Sequence, residues 1–162
     1  CGEEIFRDIY KKYETRLKEN RLIDFDDMLS YTYELFKERP DILALWQNKY
    51  KYILIDEFQD INRLQYEIIK MLAAPQNNLF IVGDDDQSIY RFRGSKPEIM
   101  LGFEKDYPDA KRILLDTNYR CGRYIVEASL NLISHNRERF DKKIIAASKS
   151  KAPVTFADFE NY

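Results

Sequence analysis

Cysteine is scarce. Cys1 and Cys121 are the only two in 162 residues, a number and spacing that exclude a disulfide framework and a cysteine-built metal site. Long hydrophobic runs are also missing. No apolar stretch approaches the roughly 20 residues of a membrane span. The first residues lack the charged, apolar and small-residue order of a signal peptide, so a cytosolic protein with no membrane partner is expected. No internal repeat or low-complexity linker interrupts the chain. A surplus of one charge is lacking too: 26 basic against 28 acidic side chains leave a formal −2. Bulk electrostatics therefore do not announce a nucleic-acid binder. A groove binder can still be locally basic, and residues 137–151 carry six basic side chains, Arg139 and Lys142 among them, against Glu138 and Asp141. The plain reading of such a run is a solvated surface.

What is present is a globular composition, 44% hydrophobic and 33% charged, long enough for one ordinary domain or for pieces of two. Aromatics reach 14%, but they mostly fill cores and by themselves say nothing about bases or ligands. The chain opens directly on a helical pattern, which suggests an excised piece of something longer.

Residues 3–50 read as helical. Ile5, Ile9, Tyr13 and Leu17 recur every four residues. Asp24 can cap a second helix that buries Phe25, Met28, Leu29 and Phe36. Pro40 suits the first turn of a third, which carries Ile42, Leu43 and Trp46. The pattern then changes. Residues 52–55 and 79–82 are short apolar runs of strand length, without the alternation of a half-exposed strand, as expected where both faces are buried. Between them, residues 61–72 have helical spacing with Asp60 at the N-cap and Pro75 beyond the end. Strand, helix and strand in this order predict a right-handed crossover and a parallel sheet, hence an α/β fold. Farther on, Ser95 and Glu98 form a capping-box pattern for a helix ending near Pro108. Residues 112–115 read as a third strand leading to a helix over 124–135, and 154–156 as the start of another strand.

Three clusters can carry chemistry. In "YILIDEFQD" (52–60), an aspartate at the end of a buried strand can bind Mg²⁺, and the glutamate beside it can take a proton from water or orient it. Alone, this pattern more often describes a buried strand running into a solvated turn. In "VGDDDQSIYRFRG" (82–94), Gly83 permits a sharp exit from the strand. Gln87 offers an amide to a terminal phosphate or a water. Tyr90 and Phe92 alternate with Arg91 and Arg93, as stacking faces beside phosphate-binding cations would; a loop with inward aromatics and solvated arginines has the same pattern. In "TNYRCG" (117–122), Arg120 could stabilise charge on a transferred phosphoryl group and Tyr119 could stack on a flat heterocycle.

Taken together and in order, "YILIDEFQDINRLQY", "VGDDDQSIYRFRG" and "LLDTNYR" resemble the UvrD/Rep-type superfamily 1 DNA helicases, over nearly the whole chain. "LIDFDDML" upstream resembles the helical accessory subdomain inserted in the first motor domain of these enzymes. The resemblance implies a partial RecA-like P-loop NTPase motor in three parts: an accessory helical segment (1–50), the C-terminal part of the first motor domain (51–110) and the start of the second (111–162). It implies an ATP-dependent helicase or translocase acting on single-stranded and duplex DNA with 3′-to-5′ polarity. ATP and Mg²⁺ are the implied cofactors.

By position, the resemblance implies that Asp56 binds the metal of Mg-ATP and Glu57 activates the hydrolytic water. Gln87 would contact the γ-phosphate, Arg120 would serve as an arginine finger and Tyr119 would stack on adenine. Tyr90 and Phe92 would line the single-strand path, with Arg93 coupling the DNA and nucleotide sites. Relatives usually carry Trp at the position of Phe92 and a small hydroxyl residue at that of Cys121. No GxxxxGK[ST] phosphate-binding loop occurs in the 162 residues, so the chain is expected to be inactive by itself. A non-catalytic relative that binds DNA or a protein, and the helicase part of a helicase–nuclease, are the alternatives.

Overall fold

The structure is a computed structural model and describes residues 2–88, 96–148 and 152–155. Three helices come first: α1 (Gly2–Asn20), α2 (Phe25–Glu38) and α3 (Pro40–Lys49). The apolar repeat makes α1 a helix, yet none of its residues is buried. Asp24 caps α2 as the sequence predicts. Its Oδ1 accepts the Asp27 N–H at 2.8 Å, and Asp27 Oδ2 accepts the Asp24 N–H at 3.2 Å, a capping box built from two aspartates. The Tyr13 hydroxyl donates to Asp24 Oδ2 at 2.9 Å and fastens α1 to this cap. Burial on α2 falls at Phe36, toward its C-terminal end. Leu29 is half-buried, whereas Phe25 and Met28 in the first turn are exposed, contrary to the sequence reading. Pro40 opens α3 as expected. Ile42 and Leu43 are half-buried, and Trp46 is partly exposed and stacks on Tyr50.

Strands β1 (Ile53–Ile55) and β2 (Leu79–Ile81) pair in parallel, in the register Ile53↔Leu79, Leu54↔Phe80 and Ile55↔Ile81. Helix α4 (Arg63–Ala73) connects them. Its cap is Asn62, not Asp60. Asn62 Oδ1 accepts the Gln65 N–H at 2.9 Å and Gln65 Oε1 accepts the Asn62 N–H at 2.8 Å. A 3-10 turn over Phe58–Asp60 takes up Asp60 and delays the helix start. The sheet is also not covered on both faces. Leu54 and Phe80, cross-strand partners on one face, are largely exposed, since no described element covers that side.

Helices α5 (Pro97–Leu101) and α6 (Phe103–Asp106) follow; Ser95 lies outside the described residues and Lys96 stands at the α5 N-cap. Residues 112–115 form no strand, and Ile113, Leu114 and Leu115 are exposed. The strand is the polar segment after them, β3 (Thr117–Gly122). It pairs in parallel with β4 (Ile145–Ser148) across helix α7 (Arg123–Ile133). Pairing partners rather than hydrophobicity decide which stretch becomes strand here. Val154 is in no strand, and Phe156 lies outside the described residues.

Phe58, with no exposed surface, anchors the centre. Its ring meets Tyr66 and Phe103 edge-on, at 5.8 and 5.6 Å between centroids. The Tyr66 hydroxyl donates to Asp106 Oδ2 at 2.9 Å and joins α4 to α6. Burial and this carboxylate raise the Tyr66 hydroxyl above its ordinary pKa. Helix α4 also packs on α2 and α3. No helix among the described residues is long and apolar enough to cross a membrane.

The cap assignment is testable. Asn62→Ala is expected to cost about 1 kcal/mol in urea unfolding. A loss of that size for Asp60→Ala, with none for Asn62→Ala, would return the cap to Asp60.

Candidate functional site

The chain turns as soon as β1 ends. Asp56 Oδ1 accepts the Glu57 N–H at 2.9 Å. Glu57 then adopts a left-handed conformation, φ 51° and ψ 41°, which costs a non-glycine residue on the order of 1 kcal/mol. The Asp60 N–H donates to the Glu57 carbonyl at 2.9 Å and closes the turn. The turn sends Phe58 inward and leaves the Asp56 and Glu57 side chains exposed. Two backbone bonds tie this exit to the one after β2: the Val82 N–H donates to Ile55 O (2.8 Å) and the Phe58 N–H to Val82 O (2.9 Å).

Gln59, 2% exposed, sits between the two exits. Its Nε2 donates to Glu57 Oε2 at 2.7 Å, and its Oε1 accepts the Asp84 N–H at 3.0 Å. The Ser88 hydroxyl donates to its carbonyl at 3.2 Å. Gly83 is required at this approach. A Cβ there would lie 2.6 Å from Gln59 Oε1 and 3.1 Å from the Phe58 nitrogen, below van der Waals contact. On the β2 side, Gln87 Nε2 donates to Asp84 Oδ2 at 2.8 Å.

Asp84, Asp85 and Asp86 offer carboxylate oxygens within 4.8 Å of one another, a spacing that a metal ion could use. A side-chain cation fills the place. Lys142 Nζ pairs with Asp84, with Asp85 at 2.6 Å and with Asp86 at 2.9 Å. Arg139 grips Asp86 with both ends of its guanidinium fork, at 2.8 and 2.7 Å. The Phe140 N–H donates to Asp85 Oδ2 at 2.8 Å. Arg139 and Lys142 are thus not the solvated charges that the basic run suggested; the Lys142 side chain is only 9% exposed. Burial opposes charge on Asp84, but bonds from Lys142 and Gln87 outweigh it and hold its carboxyl below the usual carboxylate value. The Arg139 fork chiefly lowers Asp86, against burial and with help from Lys142. Burial disfavours the Lys142 ammonium, yet the three carboxylates outweigh that and raise its pKa.

With the oxygens of this cluster engaged by Lys142 and Arg139, Asp56 is the better fit for an added hard cation. It is an exposed carboxylate at a strand end, and no basic side chain among the described residues pairs with it. Of the residues picked out by sequence, Asp56 and Glu57 follow β1 and Gln87 follows β2, with β1 and β2 adjacent. Tyr119 and Arg120 lie on β3 and are exposed. Asn118 Oδ1 shapes their backbone by accepting the N–H groups of Arg120 (2.9 Å) and Cys121 (2.8 Å). No hydrogen bond or ion pair among the described residues joins Tyr119 or Arg120 to the loops after β1 and β2. Tyr90, Phe92 and Arg93 lie outside the described residues. Sequence reasoning missed the bridge at Gln59 and the partners of the acidic triplet. A run of three aspartates needs compensating cations, and Arg139 and Lys142, three apart, were the available signal.

Residues 2–108 match the UvrD/REP helicase N-terminal domain. The chain belongs to the UvrD/REP helicase family. YjcD of Bacillus subtilis is 50% identical over 159 residues, which is 98% of this chain and 21% of that protein. The ATP-dependent DNA helicase PcrA of Leuconostoc citreum is 40% identical over 154 residues, 95% of this chain and 21% of PcrA. PcrA of Staphylococcus epidermidis is 45% identical over 148 residues, 91% of this chain and 20% of that protein. The chain therefore spans about a fifth of the length of these relatives. Asp56, Glu57, Gln59 and Gln87 fall inside the region matched to the UvrD/REP domain; Tyr119, Arg120, Arg139 and Lys142 fall beyond it.

The ion cluster sets a pH dependence. Lowered carboxyl values at Asp84 and Asp86 mean stability that is present above the unfolded value of about 4 and lost as pH falls through the native values. Lys142→Met is expected to cost about 3 kcal/mol at pH 7, because it leaves the buried Asp85 carboxylate without a cation. Its thermal midpoint should fall less than that of the wild type between pH 5 and pH 3, measured by thermal melts across that range. Equal acid sensitivity in the two proteins would contradict the assignment.

Proposed function

We propose that this chain is part of an ATP-dependent DNA helicase or translocase of 3′-to-5′ polarity and supplies the metal- and water-handling side of its ATP site. The observation that carries the reading is the exposed Asp56–Glu57 pair at the end of β1, hydrogen-bonded through Gln59 to the loop that bears Gln87. Open α/β folds bind their ligands at such strand ends. Matched relatives that are ATP-dependent DNA helicases support it.

In this reading residues 1–50 form an accessory helical subdomain. Residues 51–110 are the C-terminal part of a first RecA-like motor domain, and 111–162 begin the second. Asp56 holds Mg²⁺, which when bound draws charge from the phosphate oxygens. Glu57 orients the attacking water and takes up its proton. Gln87 directs its amide at the terminal phosphate. Arg120 stabilises the charge that develops during transfer, and Tyr119 stacks on the adenine. Tyr90, Phe92 and Arg93 belong to the single-strand path in this scheme, where aromatic faces hold bases and the arginine engages phosphate. Duplex unwinding follows from cleft closure on ATP and reopening after hydrolysis.

The test is made in the complete polypeptide that carries this chain. Glu57→Gln is expected to lower DNA-stimulated ATP hydrolysis at least about a hundredfold while ATP binding persists; turnover near wild type would overturn the reading. The 162 residues alone contain no GxxxxGK[ST] loop, and calorimetry is expected to find no Mg-ATP affinity in the micromolar range. Tight binding there would contradict the proposed division of the site.

A further inference from the structure

Gln59 links the two loops of the scheme above but has no role of its own in it, and it is among the most deeply buried side chains described. A buried amide must satisfy its donors and its acceptor or lose a kcal/mol or more for each, on the order of 1–3 kcal/mol. Gln59 does so by spanning two loops. The direction of its bonds is unambiguous. A carboxylate such as Glu57 only accepts and a backbone N–H such as that of Asp84 only donates, so the NH₂ must face Glu57 and the oxygen must face Asp84.

The consequence concerns Glu57. Its side chain is exposed, and its backbone is held left-handed. Among the described residues, the bond from Gln59 Nε2 to Oε2 is the one hydrogen bond that its carboxylate makes. One oxygen is therefore held by a buried side chain that is itself bonded at both ends of its amide, while the other has room to accept from a water. The same amide continues through Asp84 to Gln87, at 3.0 and 2.8 Å. Glu57 and Gln87, which come from different strand ends, are thus set by one chain of three hydrogen bonds.

We infer that Gln59 is a positioning residue for hydrolysis: it orients the Glu57 carboxylate and holds it in register with the Gln87 amide. The inference rests on the ATP-site reading of Glu57 and Gln87. Gly83 belongs to the same device, since its missing Cβ leaves the space that Gln59 Oε1 occupies. Gly83→Ala would press first on the Gln59 amide oxygen, the nearest atom at 2.6 Å. The backbone nitrogens of Phe58 and Gln59, 3.1 and 3.3 Å from such a Cβ, would also be in tight contact with it.

Two substitutions separate positioning from mere support of the fold. Gln59→Glu keeps an oxygen for the Asp84 N–H but removes the donor to Glu57 and sets a like charge against it. Gln59→Leu removes both bonds. In the complete polypeptide, with single-stranded DNA, Gln59→Glu is expected to lower kcat for ATP at least about tenfold with KM within about threefold, the signature of an interaction that matters in the transition state. Hydrogen exchange resolved to the Asp84 amide should stay near wild type in Gln59→Glu and quicken at least about tenfold in Gln59→Leu. Gly83→Ala should lower kcat in the same way. A Gln59→Glu protein that turns over within about twofold of wild type, with its Asp84 amide still protected, would make Gln59 a structural bridge only. Loss expressed in KM with kcat unchanged would overturn the inference as well. A wild-type protein without DNA-stimulated ATPase would instead overturn the ATP-site reading, and this inference with it. Should Gln59→Leu fail to fold, Gln59→Glu and Gly83→Ala still decide between the outcomes.

Discussion

The Lys142 ammonium lies among the carboxylates of Asp84, Asp85 and Asp86, with Arg139 closing the far side. Taking such charges out of water costs several kcal/mol each, and their mutual attraction repays it only when every partner is in place. Here two cations serve three carboxylates, Lys142 touching all of them and Arg139 holding Asp86, and Asp85 also receives a backbone N–H from Phe140. The cluster joins the loop after β2 to the segment between α7 and β4, more than fifty residues away in the chain. It also decides what the acidic triplet is. Three carboxylates that could have formed a metal site are engaged by the protein's own cations, which leaves Asp56 and Glu57 as the exposed carboxylates after β1.

The geometry of the remaining site follows from that anchor. Asp84 is held by Lys142 on one side and keeps its backbone N–H for Gln59 on the other. Gln59 passes the constraint to Glu57, whose left-handed backbone persists only where its surroundings hold it. Phe58, between them in sequence, is driven into the aromatic core with Tyr66 and Phe103 and prevents the turn from unwinding. Strain at Glu57 is thus offset by burial one residue away, and the proposed catalytic carboxylate stands on a rigid base although it is exposed.

Much of this was legible in the sequence, and what was not has physical causes. The β1–α4–β2 unit, the Asp24 cap and the Pro40 helix start follow from short-range rules that operate within a few residues. That Asp56 and Glu57 follow one strand and Gln87 the next was legible from the short apolar runs before them; as candidate site residues they stood out only when the three clusters were taken together and in order. The α4 cap was misread because Asn62 and Asp60 are both good caps, and only the 3-10 turn chooses between them. The third strand was misread because residues 112–115 are the more apolar stretch, while β4 pairs with the polar one that follows. Burial of Phe25, Met28, Leu54 and Phe80 was overestimated because a periodic pattern names a face without saying whether anything covers it. The Lys142 cluster and the Gln59 bridge are contacts between distant residues, for which a single sequence carries only charge complementarity as a hint.

The central claim is that the acidic loop and the distant basic pair are energetically one unit. A double-mutant cycle between Lys142→Met and Asp85→Asn, read by urea unfolding at pH 7, tests it most directly. A coupling energy of about 2 kcal/mol is expected, with the double variant more stable than the sum of the single losses implies. Additivity within about 0.5 kcal/mol would mean that the two groups do not depend on each other, and the arrangement of the site described above would lose its anchor.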